Sequence, residues 1–361
     1  MSFSPRSPGA EEQQEKDGAI WEERIQQLVK LPDPRPRALT PDATCSQSPV
    51  ALFQESCTWF KVPPNIRRDI LRLAFGDARI HLQLIYGQLG GDGRDSPDES
   101  APQGWRWWSS RCHRLSDDDT PQRYAMTNGG LPGPWDDECR DDDTPIGVMG
   151  WLLSCRQNYS ETIDILYSTN VLILNGQAML IHLPQLIPPQ RLESVTSLEV
   201  RWYLKTRFIT WDDPHDTLDE DHLGSIFRMI SSPYLPALRN LYMTLEDSSQ
   251  ARLSVDAIED YQAIILRHLD EFSQRMGHLD QFSCALPSVF FDFLYHEATE
   301  EVRGRSAIEY ESYRQIWRGS DGHMAVVRLP YIDSYPGPPH HLGQDDTKSC
   351  GYWILEIPEI D

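Results

Sequence analysis

Lysine is scarce: only Lys16, Lys30, Lys61, Lys205 and Lys348 appear among the 33 basic residues of this 361-residue chain. Compositional bias accounts for such a shortage, and so does work beside a ubiquitin-transfer centre, where few acceptor amines are an advantage. Bases of either kind are few beside 55 acidic residues, and the formal charge is −22. That balance excludes broad binding to phosphate backbones, which needs a basic footprint, so no nucleic-acid partner is expected. No apolar run approaches the ~18 residues of a membrane span, and no membrane association is expected. The opening MSFSPRSPGAEEQQEK has no apolar stretch of a secretory signal and is too acidic for a transit peptide. Seven cysteines, an odd number without a CxxC pair, fit a reduced cytoplasmic or nuclear protein better than a disulfide scaffold. Walker A, strand-linked GxGxxG and GxSxG motifs are missing too, and no cofactor is expected.

What is present begins with proline. Residues 1–57 carry Pro5, Pro8, Pro32, Pro34, Pro36, Pro41 and Pro49 among many polar side chains, and such a segment cannot bury enough apolar surface to offset its ordering entropy. One island, about 19–31, breaks the pattern. There Trp21, Ile25, Leu28 and Val29 share one helical stripe, which suits docking on the chain's own domain or in a partner's groove. Folded character starts at Trp59. In VPPNIRRDILRLAF the spacing predicts a helix burying Ile66, Ile70, Leu73 and Ala74, widened by Leu71 and Phe75, with Arg67, Arg68, Asp69 and Arg72 in water. Gly76 supplies the stop, and residues 80–86 alternate as a strand.

Residues 87–145 show little helical or strand period and read as a disordered or irregular acidic insertion, with acid runs at 117–119 and 136–143. A helix over 151–168 follows, with Leu152, Cys155, Tyr159, Ile163 and Leu166 inward and Asn170 as a left-handed stop before the strand VLIL. Then Leu192, Val195, Leu198 and Val200 spell L-x-x-L-x-x-L-x-L. The pattern returns at Leu235, Leu238, Leu241, Met243 and at Met276, Leu279, Phe282, Cys284, offsets of 43 and 41 residues. Helices over 222–231 and 256–276 separate the copies, which implies parallel strands joined by right-handed crossovers. The predicted fold class is therefore α+β or irregular α/β: a helical N-terminal part, then irregular leucine-rich βα units. Strands are also expected at 324–332 and 352–360. The domain reading is a tail to 57, a domain over 58–332 and a C-terminal loop and strand over 333–361.

Catalytic-looking strings fail on context. Asp212, Asp213 and Asp216 spell DDxxD, but Pro214 interrupts it and the surroundings are not helical. His340, His341 and Asp345 approximate HHxxxDG, but Asp346 replaces the glycine. His296-Glu297 opens HExxH, but Glu300 stands where the second zinc ligand belongs. Cys112, His113, Cys139 and Cys155 are ligand types that zinc takes, and they define the alternative of a zinc-binding or accessory enzyme built on the insertion, although their spacing matches no zinc module. Trp105, Trp107 and Trp108 alternate with Arg106 and Arg111. They are expected either to pin the insertion on the core or to form a protein-binding hot spot, since Trp and Arg dominate such sites. A third reading makes the acid runs a scaffold for basic protein partners.

Two stretches, FKVPPNIRRDILRLAFG and MGWLLSCRQNYSETIDILYSTNVLIL, resemble a fungal family of domains of unknown function. The second carries its most specific residues: Cys155, Arg156, Gln157, Tyr159, Glu161, Leu166, Tyr167 and Asn170. The opening helix of that family is similar to an F-box, with Val62 here in place of the leucine that normally precedes the proline. The resemblance implies a non-enzymatic interaction protein or substrate adaptor, docking on the adaptor of a cullin-type ubiquitin ligase through Val62, Pro63, Ile66, Ile70 and Leu71.

Overall fold

The computed structural model describes residues 20–28 (except 22), 57–88, 102–112, 146–207, 217–247 (except 232), 255–302, 312–330 and 351–357. They form a mixed α/β fold around a nine-stranded mixed sheet, β1 (Arg79–Gln88), β2 (Gln103–Arg111), β3 (Val171–Asn175), β4 (Ser197–Leu204), β7 (Asn240–Asp247), β8 (Gln281–Pro287), β9 (Ser312–Gly319), β10 (Met324–Pro330) and β11 (Gly351–Ile357). The spatial order is β10-β9-β11-β8-β7-β4-β3-β1-β2. From β1 through β3, β4, β7 and β8 to β11 every pair is parallel, while β2 adds at one edge and β9 and β10 at the other as antiparallel strands. A two-stranded hairpin, β5 (Thr206–Arg207) with β6 (Thr217–Leu218), stands apart from the sheet.

The register turns the sequence pattern into two apolar ladders. Ile80, Leu172, Leu198, Leu241, Phe282 and Tyr352 lie side by side across six strands, and Leu82, Leu174, Val200, Met243, Cys284 and Ile354 form the next row. On this face pack α6 (Gln177–Leu186), α8 (Glu220–Ile230), α9 (Val255–Arg275) and α10 (Ser288–Val302), joined with both ladders in one core. Their inward positions recur at helical spacing: Ile258, Tyr261, Ile265, Leu269 and Phe272 of α9 are all buried. The parallel strands expected within the three leucine-patterned copies are thus present as β4, β7 and β8, and the pattern supplies core side chains. Short α7 (Pro189–Leu192) leads into β4.

The opposite face carries polar residues in the interior. Arg79, half-buried, reaches across β3 to the buried Glu199, 2.7 Å away. Tyr242, Ala285, Trp353 and Leu355 form a separate apolar cluster there. At the far end Asp270 of α9 accepts Arg318 Nε (2.9 Å), Arg318 Nη2 (2.8 Å) and the Tyr352 hydroxyl (2.8 Å), tying α9 to β9 and β11.

Two histidines pack among the helices, His222 against the sheet and His268 between α8 and α9. His222 stacks on the fully buried Trp202 at 4.6 Å, with Nε2 3.2 Å from the Tyr203 carbonyl; His268 stacks on Phe227 at 5.9 Å. Burial holds both below the ordinary imidazole value of 6.5, Lys205 adding to the effect at His222. The folded state therefore protonates at lower pH than the unfolded chain, and stability falls as pH drops from 6.5 through the folded-state values. Urea midpoints should decline between pH 7 and 5, and a His222→Gln/His268→Gln variant should show a shallower decline. An unchanged slope would contradict this.

Several local expectations give way. The 151–168 helix is two helices, α4 (Met149–Ser154) and α5 (Arg156–Ser168), because Cys155 is extended at φ −164° and its Sγ accepts the Asn158 N–H at 3.4 Å. The left-handed residue after α3 (Pro64–Phe75) is Asp77, φ 50°, and not Gly76, whose role is close approach: a Cβ there would lie 2.5 Å from Thr169 Oγ1. Asn170 is not left-handed either. Within the 87–145 insertion, Gln103–Arg111 is a strand paired along its whole length with β1, not irregular chain. Strand β9 had no counterpart among the expected elements.

Candidate interaction surface

Helix α3 carries two apolar stripes, and the structure chooses the one that periodicity did not favour. Arg67 and Leu71 face inward, Leu71 only 2% exposed, while Ile66 (44%), Ile70 (41%) and Leu73 (84%) face solvent. The cause is Glu161 on α5. It accepts Arg67 Nε at 2.9 Å and Nη2 at 2.6 Å, a bidentate pair in which the guanidinium is almost fully enclosed. The third Arg67 nitrogen, Nη1, donates to the Val62 carbonyl at 2.6 Å. Burial opposes ionisation of Glu161, yet hydrogen bonds from Arg67 and Gln157 hold its carboxyl below the ordinary range, and the same pairing raises Arg67. An arginine so fixed turns its whole helix, and Ile66, Ile70 and Leu73 are left outside.

Other residues of the CRQ-to-N stretch complete this lobe. Asn170, fully buried, donates through Nδ2 to the carbonyls of Phe75 (2.8 Å) and Leu166 (3.0 Å), while Oδ1 accepts from Ala78 N–H (2.8 Å). It pins the ends of α3 and α5 to the start of β1. Arg191 donates to Asp164 at 2.7 Å and lies over the Tyr159 ring. Trp151 meets Trp59 of α2 (Thr58–Lys61) edge-on at 5.1 Å and donates to Thr162 Oγ1. These polar residues are fasteners between elements distant in sequence, and what they present is the outer stripe of α3. Met149 and Leu153 expose a second apolar pair on α4.

The predicted site residues separate accordingly. Ile66 and Ile70 are on the exposed stripe, joined by Leu73, which sequence reading placed inside. Val62 and Pro63 form the turn before α3, half-buried and exposed. Leu71 belongs to the interior. Trp107 is exposed at 46%, Trp108 lies 6.1 Å from His81, and Trp105 is half-buried under the N-terminal helical segment 20–26, here α1. Of the four metal candidates, Cys112 packs on Ile173 inside the sheet and Cys155 caps α5, so the two do different structural work. His113, Cys139, the acid runs, the DDxxD string and His340–Asp345 lie outside the described residues. No group of three or more His, Cys, Asp or Glu placed to hold a metal occurs among the described residues. Among those residues, no helix is long and apolar enough to cross a membrane.

These features define an α/β protein with a mixed sheet, its six central strands parallel and in sequence order, and a helical lobe clamped at one end. Residues 52–303 match the model of the domain of unknown function DUF7730, and the chain belongs to that family. No curated protein and no solved structure shows significant similarity to it.

Proposed function

We propose that the protein is a non-enzymatic interaction module of the F-box-like substrate-adaptor kind, docking through the outer stripe of α3 onto the adaptor subunit of a cullin-type ubiquitin ligase. The observation that carries this reading is the exposure of Ile66, Ile70 and Leu73 in one row, on a helix whose other face is fixed by a buried ion pair. Exposed aliphatic side chains in a row mark a contact surface, and a helix that cannot roll presents them preorganised. The shortage of acceptor amines noted above suits the same setting. In this reading the sheet, carried rigidly behind the lobe, recruits the substrate.

The test is a pull-down of the adaptor with the full chain and with an Ile66→Asp/Ile70→Asp/Leu73→Asp variant. The changed side chains are at least two-fifths exposed, so the fold should persist, each change costing about 1 kcal/mol or less. Adaptor retained by the natural chain and reduced at least tenfold in the variant is the expected result. An adaptor that ignores the natural chain, or that binds the folded variant equally well, defeats the proposal.

A further inference from the structure

A second surface is already occupied by a helix. Helix α1 lies outside the residues matched by the family model, yet it rests on that domain, with Leu28 just beyond its end buried in the main core. Its receptor is built from β1, β2 and α6. Trp105 Nε1 donates to the Arg24 carbonyl at 2.7 Å, and Trp21 meets the Trp105 ring edge-on at 6.0 Å. The Tyr86 hydroxyl donates to Gln27 Oε1 at 3.1 Å, while the Arg24 guanidinium sits over the Tyr86 ring at 4.9 Å. Tryptophan, tyrosine and a cation over an aromatic face are the composition of a binding hot spot.

The fit of the resident helix is loose. Ile20 is 45% and Trp21 39% exposed, and Ile181 on the facing helix is 42% exposed. Between them lies an open cavity of about 370 Å³, walled by Trp21, Ile25, Gln26, Ala178, Ile181 and His182. We infer that this groove is a docking site for an amphipathic helix of a protein partner, with residues 20–28 as its tethered stand-in. The resident itself states the chemistry of the occupant: apolar side chains at i, i+4 and i+7, as in Trp21, Ile25 and Leu28, and a carbonyl at the last turn for Trp105. A partner helix with a bulky apolar residue where Gln26 stands fills the cavity that the resident leaves open. That gain offsets the tether, which keeps the resident at an effective concentration of order millimolar. The inference concerns a different face from α3 and stands or falls separately from the ligase reading.

The experiment uses the full chain and a fluorescein-labelled peptide of residues 17–31. Leu28→Asp, which unseats the resident, should bind this peptide at least tenfold tighter than the natural chain does. Trp21→Ala/Ile25→Ala serves as a second unseated form if Leu28→Asp loses its circular-dichroism spectrum. Adding Trp105→Phe to either form, which removes the indole donor, should weaken peptide binding at least fivefold. A peptide carrying Gln26→Phe should bind several-fold tighter than the natural peptide. Equal affinity for natural and folded unseated chains, or no gain from Gln26→Phe, overturns the inference.

Discussion

Replacing Glu161 by Leu is expected to cost about 3–4 kcal/mol, because it leaves the Arg67 guanidinium enclosed without its counter-charge. The Val62 carbonyl keeps one nitrogen of Arg67 satisfied; Nε and Nη2 lose their acceptors in a place water scarcely reaches. The pair itself is not the source of that energy, since bringing two charges out of water nearly cancels their attraction. An Arg67→Met/Glu161→Leu double variant should therefore recover most of the loss, and urea denaturation of both of these and of Arg67→Met alone closes the cycle. A second readout follows from geometry. With the clamp broken, α3 is free to roll and bury Ile66, Ile70 and Leu73, so limited proteolysis near residues 62–76 should change in Glu161→Leu and revert in the double variant. A Glu161→Leu cost below about 1 kcal/mol would show that Arg67 finds water, and that the orientation of α3 has another cause.

Asn170→Leu is the companion case, with a neutral group in place of a charge. Leucine is close in volume, so no large cavity forms, but the Ala78 N–H and the Phe75 carbonyl lose their partner at the junction of lobe and sheet. Each buried polar group left unpaired costs about 1–3 kcal/mol, which gives about 3 kcal/mol in all. At about 1.5–2 °C per kcal/mol for a chain of this length, the thermal midpoint should fall by about 5 °C. Asn170→Asp keeps the acceptor for Ala78 but turns a negative oxygen toward two carbonyls, and should be no better than Leu. Near-natural stability of either variant would contradict the junction described above.

These two residues also mark where sequence legibility ended. The sheet was readable because Leu198, Leu241 and Phe282 sit in one register row, and an L-x-x-L-x-x-L-x-L spacing needs no distant information. Core positions of α9 were readable for the same reason: period alone places Ile265 and Leu269 on one face. Helix α3 was not, since it has apolar side chains on both sides and the deciding partner of Arg67 lies 94 residues away. Counting an arginine as wet is sound on average and fails when a carboxylate waits inside. Strand β2 was obscured because QGWRWWSSR places large or basic residues on both faces, while its pairing with Ile80–Gln88 is a tertiary fact. Spacing alone places Cys155 as one more inward helical residue, because its extended backbone leaves no trace in the pattern.

The order of the strands sets a distance. The clamped lobe joins the sheet at β1 and β3, and from β3 to the outermost strand β10 there are six steps. At ~4.8 Å per step that is roughly 29 Å of hydrogen-bonded spacer. A protein held at α3 and another held at the β10 edge would be kept apart by that spacer. Adding or removing one strand-and-helix unit between β4 and β8 would alter that gap by one inter-strand spacing.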